Sequence, residues 1–262
     1  MSNFSVLTKM AEIIKRISNG GLDPEVVSLG LQAIIDNKFS VARIAPAWDV
    51  STGAKIAAGA VFLTKYATGE EGFSESDIPE VPEITLYEGE VLTLAIYLPD
   101  KDGVPGYLRT LDAWWDHFQV SEGLKSEGYN KARWDHLEAR EDRIRLIASY
   151  EYKPGIRWIV VNTKTYHGES CDKATELAKA EGKTVAGLET IMLLAQCPKW
   201  AESWNGKESP YPNATALQVF YNIGWSRSVC LDRWDDDLGV ELGAGWSGGV
   251  VSHWASPVFR EC

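Results

Sequence analysis

Apolar and polar positions follow several different rhythms along this chain of 262 residues. In SVLTKMAEIIKRI, residues 5–17, Val6, Met10, Ile13, Ile14 and Ile17 recur at the spacing of one helix face. Asn19-Gly20-Gly21 stops that helix. Asp23 caps a second one, with Pro24 at its first position and Val26, Val27, Leu29, Leu31, Ile34 and Ile35 behind it. A two-helix segment over residues 1–40 cannot bury its own apolar faces. It therefore docks on the main domain, on another protein, or on a second copy through residues 5–35, giving a homo-oligomer. Residues 41–83 read as a connecting region, and YATGEEGFSESDIPEVPE within it has the Gly, Ser, Glu and Pro content of a linker.

Beyond residue 83 the rhythm turns to strands. EITLYEGEVLTLAIYLPD predicts two strands around Glu88-Gly89-Glu90, and IRLIASYEYKPGIRWIVVNTKTY predicts a hairpin turning at Lys153-Pro154-Gly155. LRTLDAWWDHFQ and NKARWDHLEAREDRI have helical periodicity, as do CDKATELAKAEG and VAGLETIMLLAQC, the last stopped by Pro198. From Trp200 onward Gly, Asn, Ser, Asp and Pro break the chain into short strands and turns. Helices inserted among antiparallel hairpins predict an α+β domain over residues 84–262.

Composition narrows the partners. The chain is 45% hydrophobic with a net charge of −11, so its surface repels phosphate backbones and nucleic acid is not an expected partner. The longest apolar runs fall far short of a membrane span, and MSNFSVLTKMAEIIKRIS lacks the apolar stretch of a signal peptide. A cytoplasmic or virion-associated protein is the expectation. The cysteines Cys171, Cys197, Cys230 and Cys262 show no CxxC spacing, which argues against a zinc ribbon. Reduced thiols are expected, with a Cys230–Cys262 bridge as the alternative.

Candidate chemistry is sparse. Trp-Asp-His occurs twice, at Trp115-Asp116-His117 and Trp134-Asp135-His136, and a metal hydrolase could draw on His117, His136 and His167 with Asp116 or Asp135. No spacing puts two histidines on one helical face, and the competing reading is two amphipathic helices with Trp inward and Asp and His toward water. Asp235-Asp236-Asp237 lacks the register of a calcium loop and suits a hairpin turn before Gly239. No phosphate-binding loop or nucleophile elbow is present. No cofactor is expected.

The closing segment is different in kind. Between Val219 and Ser256 there is no Lys, Gln or Met and one Glu, while Trp225, Trp234, Trp246 and Trp254 recur among Gly, Ser, Val, Asp and Arg. Small residues beside rigid aromatic walls leave shallow hollows, as in adaptable binding surfaces. An edge hairpin with aromatic core anchors would read the same way.

PYPNATALQVFYNIGWSRSVCLDRWDDDLGVELGAGWSGGVVSHWASPVFREC resembles the variable region of proteins diversified by diversity-generating retroelements. The preceding TVAGLETIMLLAQCPKWAESWNGKESPYP is similar to the helix and linker that lead into it. The resemblance implies a C-type-lectin-like domain with a central antiparallel sheet and a hypervariable region over about 219–256. It also implies adenine-directed mutagenesis that turns AAY codons into NNY codons, which cannot encode Trp, Lys, Gln, Glu or Met. Trp225, Trp234, Glu241, Trp246 and Trp254 would then be scaffold, with the tryptophans in the core. The replaceable, solvent-facing positions would be Tyr221, Asn222, Gly224, Ser226, Arg227, Ser228, Cys230, Asp235, Asp236, Ser247, Gly249, Val251, Ser252 and His253. Val258 and Phe259 would be buried by pairing in the sheet. The acidic and Asn-containing calcium motifs of sugar-binding lectins are missing.

The function expected on this basis is non-enzymatic recognition of protein surfaces. The alternatives are a glycan-acting or metal-dependent hydrolase, and a virion or assembly protein.

Overall fold

A computed structural model describes residues 52–67, 73–120, 131–134, 137–197, 199–202, 204, 210–234 and 239–262. The chain divides into two units, Met1–Ala42 and Arg43–Cys262, and all described residues lie in the second. The predicted helical segment 1–40 lies outside the described residues, as do Asp135, His136, Asp235 and Asp236.

The fold is mixed α+β with two largely antiparallel sheets. The first contains β1 (Glu90–Tyr97), β4 (Gly155–Asn162), β10 (Val258–Glu261) and β5 (Thr184–Val185), in the order β1-β4-β10-β5. The second contains β2 (Lys131–Arg133), β8 (Gly239–Trp246), β7 (Gly224–Trp234), β6 (Tyr211–Tyr221) and β3 (Ile144–Leu146) in that order, with β9 (Trp254–Ala255) parallel to β6. The helices are α1 (Thr52–Phe62), α2 (Gly106–Val120), α3 (Cys171–Ala180), α4 (Leu188–Gln196) and the short α5 (Lys199–Glu202).

Helix α4 is apolar nearly all round, and all nine of its residues are buried, which is what a helix placed inside a core requires. It packs on β1 and β4 of the first sheet and on β6 of the second. Its one carboxylate, Glu189, is fully buried and accepts hydrogen bonds from the hydroxyls of Tyr97 and Tyr150 and from the Gly187 N–H at 2.7 Å. Burial raises the Glu189 pKa against those three donors, and burial beside Glu189 also raises both tyrosines. This cluster ties the start of α4 to the first sheet.

The outer edge of β1 is closed by side chains instead of a strand. Gln196 of α4 accepts from the Leu94 N–H at 3.1 Å and donates to the Leu94 carbonyl at 2.6 Å. Two residues on, the Trp114 indole donates to the Ile96 carbonyl at 3.0 Å, and the Leu98 N–H donates to Thr110 Oγ1 at 2.8 Å. Every second residue presents its amide outward from an edge strand, so these partners follow the strand period.

Several sequence expectations give way to these pairings. Residues 83–87 form no strand, so EITLYEGEVLTLAIYLPD holds the single strand β1. β3 and β4 do not form a hairpin, because β3 pairs with β6 while β4 pairs with β1 and β10. Gly155, at φ +136°, instead begins β4 as the chain leaves one sheet for the other. In NKARWDHLEAREDRI the free edge of β8 takes Lys131–Arg133 as a parallel strand, and turns follow, so no helix forms among its described residues. The stretch read as a connecting region contains α1, whose Phe62 is buried and stacks on Trp114 at 4.0 Å between ring centroids. The buried pairing of Val258 agrees with expectation: β10 lies between β4 and β5, and Val258 is buried while Phe259 is half-buried. All four cysteines are free, so there is no Cys230–Cys262 bridge.

Candidate functional site

The end of the second sheet that carries the β6–β7 turn holds Tyr221, Asn222, Gly224, Ser226 and Arg227 of the expected binding residues. Asn222 sits in that turn at φ +57°, a left-handed conformation that Asn tolerates better than most residues. Ile223 forms the apex and is 99% exposed. Register places the two flanking arginines on opposite faces of the hairpin. Arg145 pairs with Gln218 and Arg227 with Val219, which are neighbours on β6 and so point to opposite sides.

On one face the Arg145 guanidinium lies 4.4 Å from the centre of the Trp225 ring, and Trp225 meets Phe220 edge-on at 5.5 Å. On the other, Arg227 lies 4.3 Å over Tyr221 and 5.6 Å from Trp134, and those two rings are 5.4 Å apart. Stacking of this kind holds a long cationic side chain still while leaving the guanidinium edge open.

β8 ends beside this hairpin. Its last residue, Trp246, pairs with Arg227 in register and is 68% exposed. The expectation of Trp246 as a core anchor is therefore corrected: β8 runs past the core at this end. The following loop exposes Val250 and Ser252 and half-buries Gly249, Val251 and His253. Trp254 fits a frame role better. It pairs with Tyr211, is half-buried, and lies so close over Gly245 that a Cβ there would fall 2.3 Å from its ring. Trp234 closes β7 opposite Gly239.

Among the replaceable candidates, Asn222, Ser226 and Ser252 are exposed, and Tyr221, Gly224, Arg227, Gly249, Val251 and His253 are half-buried. Ser228, Cys230 and Ser247 are corrections, being buried at 2%, 4% and 4% exposure. Ser228 and Cys230 belong to a polar layer near the start of α3, where Thr215 Oγ1 lies 3.8 Å from Cys171 Sγ. Burial pushes both thiols up in pKa, so each stays protonated and unreactive at neutral pH. Ser247 joins three elements: its N–H donates to the Ser226 carbonyl at 2.9 Å, and its own carbonyl accepts from Asp172 of α3 at 3.2 Å.

Besides Phe220, four contributors escaped sequence reasoning. Ile223 and Val250 carried a usable signal, since a large apolar side chain at a turn has nowhere to be buried. Trp134 and Arg145 carried none, because only the sheet pairing brings them to residues more than 70 positions away.

The metal-hydrolase alternative finds no assembled centre: among the described residues no group of three or more His, Cys, Asp or Glu could hold a metal ion. His117 does not face water as the helical reading required. It is 2% exposed between Phe62 and Trp114, and burial, aided by Lys65, lowers its pKa to about 4. Among the described residues no helix is long and apolar enough to cross a membrane.

Comparison of the chain with protein-family models, curated proteins and solved structures gives no match.

Proposed function

We propose that this protein is a non-enzymatic binding protein. In this reading its domain is C-type-lectin-like, and residues of about 219–256 form the hypervariable recognition surface of a diversity-generating retroelement product. One observation carries the binding reading: the hairpin end of the second sheet exposes Ile223 and, in register with Arg227, Trp246, together with the half-buried rings of Phe220, Tyr221 and Trp225. Large exposed apolar side chains gathered at one place mark interaction sites, and rigid aromatics with arginine are the residues that dominate protein recognition.

The lectin-like reading is supported by β10 pairing beside β4 in one sheet while the β6-β7-β8 meander builds the other. The diversification reading is supported by five expected replaceable positions at that end, Tyr221, Asn222, Gly224, Ser226 and Arg227, and by four more, Gly249, Val251, Ser252 and His253, in the loop after β8. Ser228, Cys230 and Ser247 pass to the frame, and Trp246 becomes a constant contact residue among changing neighbours.

The deciding experiment is sequencing of the DNA around the gene. The expected result is a near-copy of codons 219–256 beside a reverse transcriptase gene, with mismatches at adenines. A flank with no such repeat removes diversification and leaves a fixed binding surface.

A further inference from the structure

The binding surface proposed above differs in charge from the rest of the molecule. The chain carries 37 Asp and Glu residues, yet none lies between Glu208 and Asp232 or between Glu241 and Glu261. These two acid-free stretches supply β6, most of β7, the end of β8 and the loop after it. Asp172 reaches the border of this region beside Ser247, and Glu141 and Asp142 precede the strand that carries Arg145.

The arginines there are also unneutralised. Arg145 donates from Nε to Gln218 at 3.0 Å, and Arg227 donates from one terminal nitrogen to the Ala244 carbonyl at 2.8 Å. Neither forms an ion pair among the described residues, whereas Arg133, Arg140, Arg157 and Arg260 each pair with a carboxylate. In a protein of net charge −11, two arginines beside an exposed apolar turn thus carry no carboxylate partner among the described residues.

We infer that the β6–β7 hairpin end is a knob that recognises a protein segment bearing carboxylates next to apolar side chains. Ile223 at the apex supplies the apolar contact. Arg145 and Arg227, each lying on a ring, straddle the hairpin with guanidinium edges open to accept a carboxylate from either side. No described carboxylate pairs with those edges, and the net negative charge of the molecule disfavours such a partner on the rest of its surface.

This inference rests on the binding reading, and one titration separates the two. The probe is a synthetic decapeptide alternating Asp and Glu with Phe and Leu. Its control is the same peptide with Asn and Gln for the acids. Each is added to the 15N-labelled full chain while amide and arginine Nε resonances are followed. The expected result is saturable shifts at residues 220–227 and Trp246 with the acidic peptide, and binding about tenfold or more weaker with the control. The R145Q/R227Q double variant should level the two peptides.

Equal binding of both peptides at the hairpin overturns the carboxylate inference and leaves the apolar binding surface standing. Preference for the acidic peptide that survives R145Q/R227Q, or shifts confined to lysine-bearing regions, also overturns it. No shift at the hairpin with either peptide overturns both readings.

Discussion

At Trp246 and its neighbours, residue type and residue role separate. Trp246→Ala should change stability by no more than about 0.5 kcal/mol, because the ring is mostly in water, while weakening any ligand held at the hairpin. Urea denaturation checks the first part. Serines that look alike in sequence should behave in opposite ways. Ser226→Tyr and Ser252→Tyr should be tolerated, whereas Ser228→Tyr must displace the layer at Cys171 and should cost about 2–3 kcal/mol by overpacking. His117 makes a different prediction, because its folded pKa of about 4 lies below the ordinary value of 6.5. Between those values the unfolded chain binds the proton first, so the stability that neutral His117 permits is present above pH 6.5 and is lost as pH falls toward 4. The loss should amount to about 2 kcal/mol by pH 4.5, and His117→Gln should flatten that part of the curve. Glu189 acts with the opposite sign: its raised pKa makes stability fall as pH climbs above the ordinary carboxyl value, so wild type and variant must be compared at each pH.

The element scale is where sequence was most and least informative. Three of the four helical patterns beyond residue 83 are the helices α2, α3 and α4, since each carries a sustained apolar face. The fourth was lost because Lys131–Arg133 satisfies the free edge of β8, a demand set by a strand over a hundred residues later. For the same reason the apparent β3–β4 hairpin divides between sheets: alternation marks a strand but does not choose its partner. The closing segment was legible as a surface of aromatics and small residues. Which tryptophan is exposed was not, because that depends on where β8 outruns the core. The closed edge of β1 gives a test at this scale. Gln196→Leu fills a similar volume but leaves the Leu94 N–H and carbonyl buried and unpaired, and should cost about 2–4 kcal/mol. Hydrogen exchange should show the Leu94 amide losing protection first.

For the molecule as a whole, the placement of β10 couples the two sheets. The segment of about 219–256 builds the second sheet and the exposed hairpin, and the chain then returns to fill the place between β4 and β5 in the first. A chain ended after Pro257 leaves one edge of β4 and all of β5 unpaired. It should lose cooperative unfolding and near-ultraviolet circular dichroism, even though the hairpin and its rings are intact in sequence. Substitutions confined to Asn222, Ser226 and Ser252 should leave both signals unchanged.

β10 is translated after the segment proposed to vary, yet the sheet it completes is otherwise built from strands translated before it. Folding thus inspects the reading frame. A stop codon or a one-nucleotide slip anywhere between codons 219 and 256 erases the VFRE strand, and the product cannot close its first sheet. A codon exchanged for another leaves that strand as it was. Under the proposed diversification, chains whose surface had been rewritten would be kept, and chains whose message had been broken would be exposed to proteolysis before they could engage a partner.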